Sequence, residues 1–300
     1  MTNIDQHFEA YSAWRQGLFK SVGDFRGWLQ SQELADVQVD QRLDQVLSTL
    51  RDDKLYVAFV AEFSRGKSEL INAIFFAAFG QRVLPSSAGR TTMCPTELMY
   101  EKGSAPCIRL LPIETRASGT SVSELRGFAE EWTTIPLDIE SPDKVAQALQ
   151  HIAEIKKVSK EIAQTLGLHI AEEETQNGMH LSEDGMVEVP KWRHAIINFP
   201  HPLLDQGLVI LDTPGLNALG TEPELTLSLL PSAHAVLFIL AADTGVTKSD
   251  IQVWHDFISN PKHGSNKGRI AVLNKIDGLW DELKTEDAVK AEIDRQVKET

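Results

Sequence analysis

An α/β fold, with a mainly parallel central sheet and helices on both faces, is what this 300-residue sequence predicts. Three observations lead there. Apolar runs of strand length, rich in β-branched and aromatic residues, recur at 55–60, 207–212, 235–240 and 269–273. Segments with helical character alternate with them. The runs end in loops carrying glycines, hydroxyls and acids, and the carboxyl ends of strands are where open α/β sheets bind ligands.

Taken in order, residues 5 to about 52 lack turn clusters and read as one or two helices. Phe8, Tyr11, Trp14, Leu18 and Phe19 recur at helical spacing, as do Leu43, Val46, Leu47 and Leu50. Such stripes are expected to be core; the polar face is not basic, which argues against a helix lying on a membrane. Residues 1–52 are therefore assigned to an N-terminal helical segment and 53–300 to the α/β domain. A strand at 55–60 leads into a helix from Ser68 to Phe79, with Gly80 as its stop. Pro95–Tyr100 and Cys107–Leu111 are expected to pair around the turn 101–106. Residues 113–191 read as a helical insertion. Within it Ser141-Pro-Asp starts one long amphipathic helix bearing Val145, Leu149, Ile152, Ile155, Val158, Ile162 and Leu166, ending at Gly167. The acidic stretch 172–185 reads as a polar loop, and His180, His194 and His201 show no metal-ligand spacing. Ala195–Asn198 precedes the strand ending at Asp212, and a charged helix is expected over 282–297.

Three motifs carry chemistry. Ala61-Glu-Phe-Ser-Arg-Gly-Lys-Ser68 lies between a strand and a helix, the context of a phosphate-binding loop. Backbone N–H groups at Glu62, Phe63, Ser64, Arg65, Gly66 and the helix start through Glu69 would cradle phosphates. Lys67 would reach the β- and γ-phosphates, and the Ser68 hydroxyl would bind Mg²⁺. Ala61 stands where glycine usually opens the loop. Asp212-Thr-Pro-Gly215 follows a strand: Asp212 suits Mg²⁺, and the Gly215 N–H would contact a γ-phosphate oxygen. Asn274-Lys275-Ile-Asp277 follows a third strand. The Asp277 carboxylate matches the two adjacent donors of guanine, which adenine lacks, so GTP is favoured over ATP.

Composition narrows the partners. With 43 acids against 29 basic residues the net charge is −14, which argues against nucleic acid or anionic lipid as a direct ligand. Cys94 and Cys107 have no metal-ligand spacing and read as reduced thiols of a cytoplasmic protein. No run reaches the length of a membrane span.

On these residues the chain resembles the bacterial dynamin-like GTPases. Phe63–Ile74 is similar to that family's P-loop and helix, 84–96 to its first switch and 211–217 to its second. The resemblance implies a large multidomain P-loop GTPase that hydrolyses GTP when its GTPase domains pair and acts on membranes through a helical stalk. It implies Thr92 as the switch threonine completing Mg²⁺ coordination, with Thr91 a close competitor. Ser64 would contact the bridging region of the nucleotide, and Asp243 is either a candidate contact across the dimer or, the stronger reading, the N-cap of the helix that follows. Arg65 is either an internal arginine finger or a solvated loop-tip cation. Leu216 stands where Ras-type enzymes carry a water-positioning glutamine, so unassisted hydrolysis should be slow. The N-terminal helices would join a bundle. A last strand and a guanine-backing loop do not follow Asp277, which suggests a fragment of a longer protein, with peripheral membrane contact through regions outside this chain. A non-dynamin regulatory GTPase and a nucleotide-binding scaffold are the alternatives.

Overall fold

A computed structural model describes residues 3–32, 34, 36–51, 54–62, 64–85, 94–168, 186–213, 230–258, 268–280 and 285–299. The chain forms two compact units, residues 1–55 and 56–300.

The first unit is a helix pair, α1 (Asn3–Ser31) and α2 (Val37–Arg51). Asp36 caps α2 by accepting the Val39 N–H at 2.7 Å. Arg26 clamps the two helices, donating to both oxygens of Asp40 at 2.7 Å and to Asp44 at 2.6 Å. The aromatic stripe is only partly the core that its spacing suggests: Phe8, Leu18 and Phe19 are half-buried, while Tyr11 and Trp14 stack on one another at the surface. Phe25 and Trp28, further along α1, also stack at the surface. A pair of helices has too little apolar surface to enclose so many rings.

The second unit is built on β1 (Leu55–Ala61), α3 (Lys67–Phe75), β2 (Thr96–Met99), β3 (Cys107–Pro112), α4 (Val122–Leu125) and β4 (Thr133–Pro136). The chain continues through α5 (Pro142–Gln150), β5 (Ile155–Val158), α6 (Lys160–Thr165), β6 (Val187–Pro190), β7 (Trp192–Asn198) and α7 (Pro202–Asp205). It closes with β8 (Leu208–Asp212), α8 (Leu230–Ser232), β9 (Ala235–Ala241), α9 (Lys248–Val253), β10 (Gly268–Asn274) and α10 (Glu286–Glu299). Eight strands form one sheet in the order β10-β9-β1-β8-β2-β7-β3-β4. Pairing is parallel for β10/β9, β9/β1 and β2/β7, and antiparallel for β2/β8, β7/β3 and β3/β4.

The apolar runs have a direct cause. Along β1, Phe59 and Ala61 pack with Ile71, Phe75, Ile197 and Ile210 on one face, while Ala58 and Val60 pack with Ile196, Leu211 and Phe238 on the other. A strand covered on both faces has no polar alternation to show.

Three expectations are corrected. β2 and β3 do not pair with each other, because β7 lies between them. All seven residues of β7 are buried. Its Asn198 also fastens the intervening turn: Oδ1 accepts the Glu101 N–H at 2.8 Å, and Nδ2 donates to the Ser104 and Ala105 carbonyls. Second, the long helix over 141–167 is broken into α5, β5 and α6. β5 is diverted into pairing with β6, and Val158 packs into a small core with Ile113, Leu168, Val187 and Val189. The break is held by the Trp192 indole N–H on the His151 carbonyl at 2.7 Å and the Lys191 N–H on the Glu154 carbonyl at 2.9 Å. Third, the described part of 113–191 is therefore mixed α/β and not a helical insertion.

Candidate nucleotide site

The site sits at the carboxyl ends of β1, β8 and β10. At β1, the loop ends in two left-handed residues, Ser64 (φ 65°) and Gly66 (φ 86°), before α3 begins at Lys67. A left-handed serine is strained, and such strain concentrates at ligand sites. Gly66 is required for a second reason: a Cβ there would lie 2.5 Å from Asn274 Nδ2. That same amide donates to the Arg65 carbonyl at 3.0 Å. The loop at the end of β10 is thus fastened directly onto the phosphate loop.

Lys67 is buried and its ammonium forms an ion pair with the Asp212 carboxylate at the end of β8. Its neighbour Thr213 is pinned by a 2.8 Å hydrogen bond from its hydroxyl to the Phe59 carbonyl. Ser68 is half-buried in the first turn of α3. Ser68 and Asp212 are hard oxygen donors on adjoining elements, a set that fits Mg²⁺ shared with phosphate oxygens. Lys67 stands within that set, where one cation can serve both the carboxylate and a phosphate. Among the described residues no group of three or more His, Cys, Asp or Glu gathers as a metal site.

Lys275 is left-handed (φ 58°) and its ammonium pairs with Asp243 at 2.9 Å, which holds the Asp243 carboxyl below the usual carboxylate range. Asp243 therefore does not cap α9. That role belongs to Thr247 and Asp250, which form a reciprocal capping box. Asp277 lies exposed in a single turn over 276–279.

Other site residues fall differently from expectation. Arg65 is not a solvated loop-tip cation: it is 6% exposed. Its guanidinium donates to Glu62 at 2.8 Å, Asp250 at 3.0 Å, Thr247 at 3.4 Å and the Thr244 hydroxyl. Burial between two carboxylates holds its guanidinium in this network. The Glu69 side chain pairs with Arg82 at 2.9 Å, so only its backbone remains for a phosphate. Phe63, Thr91, Thr92, Gly215 and Leu216 lie outside the described residues, as does the acidic stretch 172–185.

Sequence reasoning missed several supports. Asn72 on α3 is buried, accepting the Val83 and Leu84 N–H groups at 3.1 and 2.8 Å and donating to the Leu84 carbonyl at 3.1 Å. It thereby fixes the chain that leads toward Thr92. On β2, Glu97 is buried with His194 of β7 at 3.0 Å and the Arg126 guanidinium. Burial pushes its carboxyl up, but the hydrogen bond and charge of His194 and the charge of Arg126 prevail and hold it at about 2. His201 is satisfied as well, accepting the Leu203 N–H at the start of α7 and meeting Phe75 edge-on.

A loop of the phosphate-binding pattern fastened to a motif of the guanine-reading pattern, with an acid at the end of a nearby strand, is the arrangement of a P-loop domain of the GTPase class. The sequence pattern of the dynamin family matches residues 57–276. The chain belongs to the dynamin family, whose members are large GTPases that hydrolyse GTP. It is 24% identical over 227 residues to a bacterial dynamin-like protein of Nostoc punctiforme, covering 75% of this chain and 24% of that protein. It is 23% identical over 245 residues to dynamin-like protein 2 of Campylobacter jejuni, covering 82% of this chain and 29% of that one. Among solved structures it is similar to an oligomerised bacterial dynamin pair described as sensing and tethering membranes, with 22% identity and a TM-score of 0.45 over 88% of this chain and 31% of the other. The chain thus spans less than a third of the length of these curated relatives.

Proposed function

We propose that this domain binds GTP and GDP together with Mg²⁺ and hydrolyses GTP, with turnover stimulated when two such domains pair. The observation that carries the reading is the Asn274 amide on the Arg65 carbonyl at 3.0 Å, which joins the guanine-reading loop to the phosphate loop in a single site.

Lys67 neutralises the β- and γ-phosphates, and the N–H groups at the start of α3 complete the cradle. Ser68, Asp212 and Thr92 would hold Mg²⁺, which would supply charge neutralisation for the phosphates. Gly215 senses the γ-phosphate. Asp277 accepts from the two guanine donors, Lys275 lies along the base, and Ser64 faces the bridging oxygen. Leu216 stands in place of a water-positioning glutamine and the Arg65 guanidinium is engaged by Asp250, so neither serves as an internal activator in this reading. Family membership and this deficit support activation by a second copy.

In the longer protein the GTPase cycle would be coupled to peripheral contact with a membrane, made through regions outside this chain. Among the described residues no helix is long and apolar enough to cross a membrane. The helices α1 and α2 are read as a segment of a helical bundle.

Turnover per molecule, measured over about a hundredfold range of protein concentration, tests the pairing mechanism. Specific activity is expected to rise with concentration. A flat profile would mean that each domain works alone.

A further inference from the structure

The buried cluster around Arg65 contains two carboxylates, and one of them belongs to no nucleotide motif. Asp250 is fully buried on α9, and its Oδ2 accepts from Arg65 at 3.0 Å as well as from the Thr247 N–H and hydroxyl. Glu62 closes the other side. Thr244, just after β9, takes the remaining Nη group. The hydrogen bonds of the guanidinium among the described residues go to these four side chains.

The backbone of the same residue forms part of the phosphate loop. Arg65 lies between the two left-handed positions Ser64 and Gly66, and its carbonyl receives the Asn274 amide. The carboxylates that hold the guanidinium are thereby linked, through one residue, to the loop that would cradle phosphate and to the strut that joins it to the guanine motif. A buried cation enclosed by carboxylates has few alternative positions, because leaving either carboxylate unpaired is costly.

We propose that Arg65 is a positioning residue for the phosphate loop, and that Asp250, which belongs to none of the nucleotide motifs but contacts that loop through Arg65 at 3.0 Å, sets guanine-nucleotide affinity through it. The same segment, 243–250, also carries Asp243, which pairs with Lys275 at 2.9 Å. The proposal rests on the reading of this site as a guanine-nucleotide site.

It is tested on the full chain with Asp250→Asn, which keeps shape and removes charge, and with Thr244→Val at an exposed position that leaves the fold intact. GTP and GDP affinities are measured by titration, and thermal unfolding is followed with and without saturating GDP. Asp250→Asn is expected to weaken GTP and GDP alike by about tenfold or more, as losses of supporting contacts do at other sites. Thr244→Val is expected to weaken both by about threefold. The upward shift in Tm produced by GDP should shrink accordingly; a purely structural role would lower the Tm but leave that shift intact. An arginine finger would give a different pattern, with Arg65→Lys losing turnover while GDP affinity stays unchanged. That pattern, or unaltered affinities in both Asp250→Asn and Thr244→Val, overturns the proposal. If the unmodified chain binds neither GTP nor GDP, the reading of the site fails instead.

Discussion

The two halves of the sheet solve different problems. In β10-β9-β1-β8 the strand ends carry the chemistry, and their loops are tied to each other by Asn274 on Arg65, Lys275 on Asp243 and Lys67 on Asp212. In β2-β7-β3-β4 the polar residues are turned to structure: Glu97 is buried against His194 and Arg126, and Asn198 secures a turn. Charges in the first half are arranged so that a ligand can compete for them. In the second they are closed on one another. Changes in the first half should therefore alter binding more than stability, and changes in the second should do the reverse.

Gly66→Ala should have the largest effect on the first half. The new methyl would meet the Asn274 amide at 2.5 Å in a backbone conformation with φ 86°. Nucleotide affinity is expected to fall by about a hundredfold or more, while the left-handed alanine itself costs only about 1–2 kcal/mol. Titration and thermal melting separate the two effects. Retained binding would mean that the two loops are not coupled.

Glu97→Gln tests the second half. Its carboxyl is depressed from 4.5 to about 2, so its stabilisation is fully present above pH 4.5 and is lost as pH falls toward 2. The variant is expected to lose on the order of 3 kcal/mol at neutral pH and to show a flatter acid limb in a stability profile. Its nucleotide affinity should match that of the unmodified chain. A loss of binding at undiminished stability would erase the distinction between the halves.

The smallest effect is expected at Asp243→Asn. The ion pair with Lys275 is half-exposed, and such pairs contribute about 0–1 kcal/mol. GTP affinity should change by no more than about threefold, with the difference vanishing at high salt. A larger, salt-independent loss would show that Lys275 depends on this contact for its place.

The same division governs how much of the molecule was legible in the sequence. The first half reads well because strands buried on both faces leave unbroken apolar runs, and its loops must carry particular residue types at fixed spacing. The second half reads poorly because its order depends on pairings distant in sequence. Nothing local says that Trp192–Asn198 inserts between β2 and β3. Val158 falls on the helical spacing begun by Val145 and Leu149, so that pattern is satisfied by chance while the residue packs beside Val187 and Val189. The environment of Arg65 was partly legible: Thr247-Lys-Ser-Asp250 has the form of a capping box, which marks the start of α9. That this helix start lies against the phosphate loop is a property of the parallel β9/β1 pairing, which a local motif does not convey.

The central claim is that the loops after β1 and β10 form one guanine-nucleotide site. Titrating the chain with GTP, GDP and ATP under the same Mg²⁺ concentration tests it most directly. Binding of GTP and GDP is expected, with ATP weaker by about a hundredfold or more, because the Asp277 carboxylate finds no paired donors on adenine. Equal affinity for ATP and GTP, or no nucleotide binding at all, would contradict it.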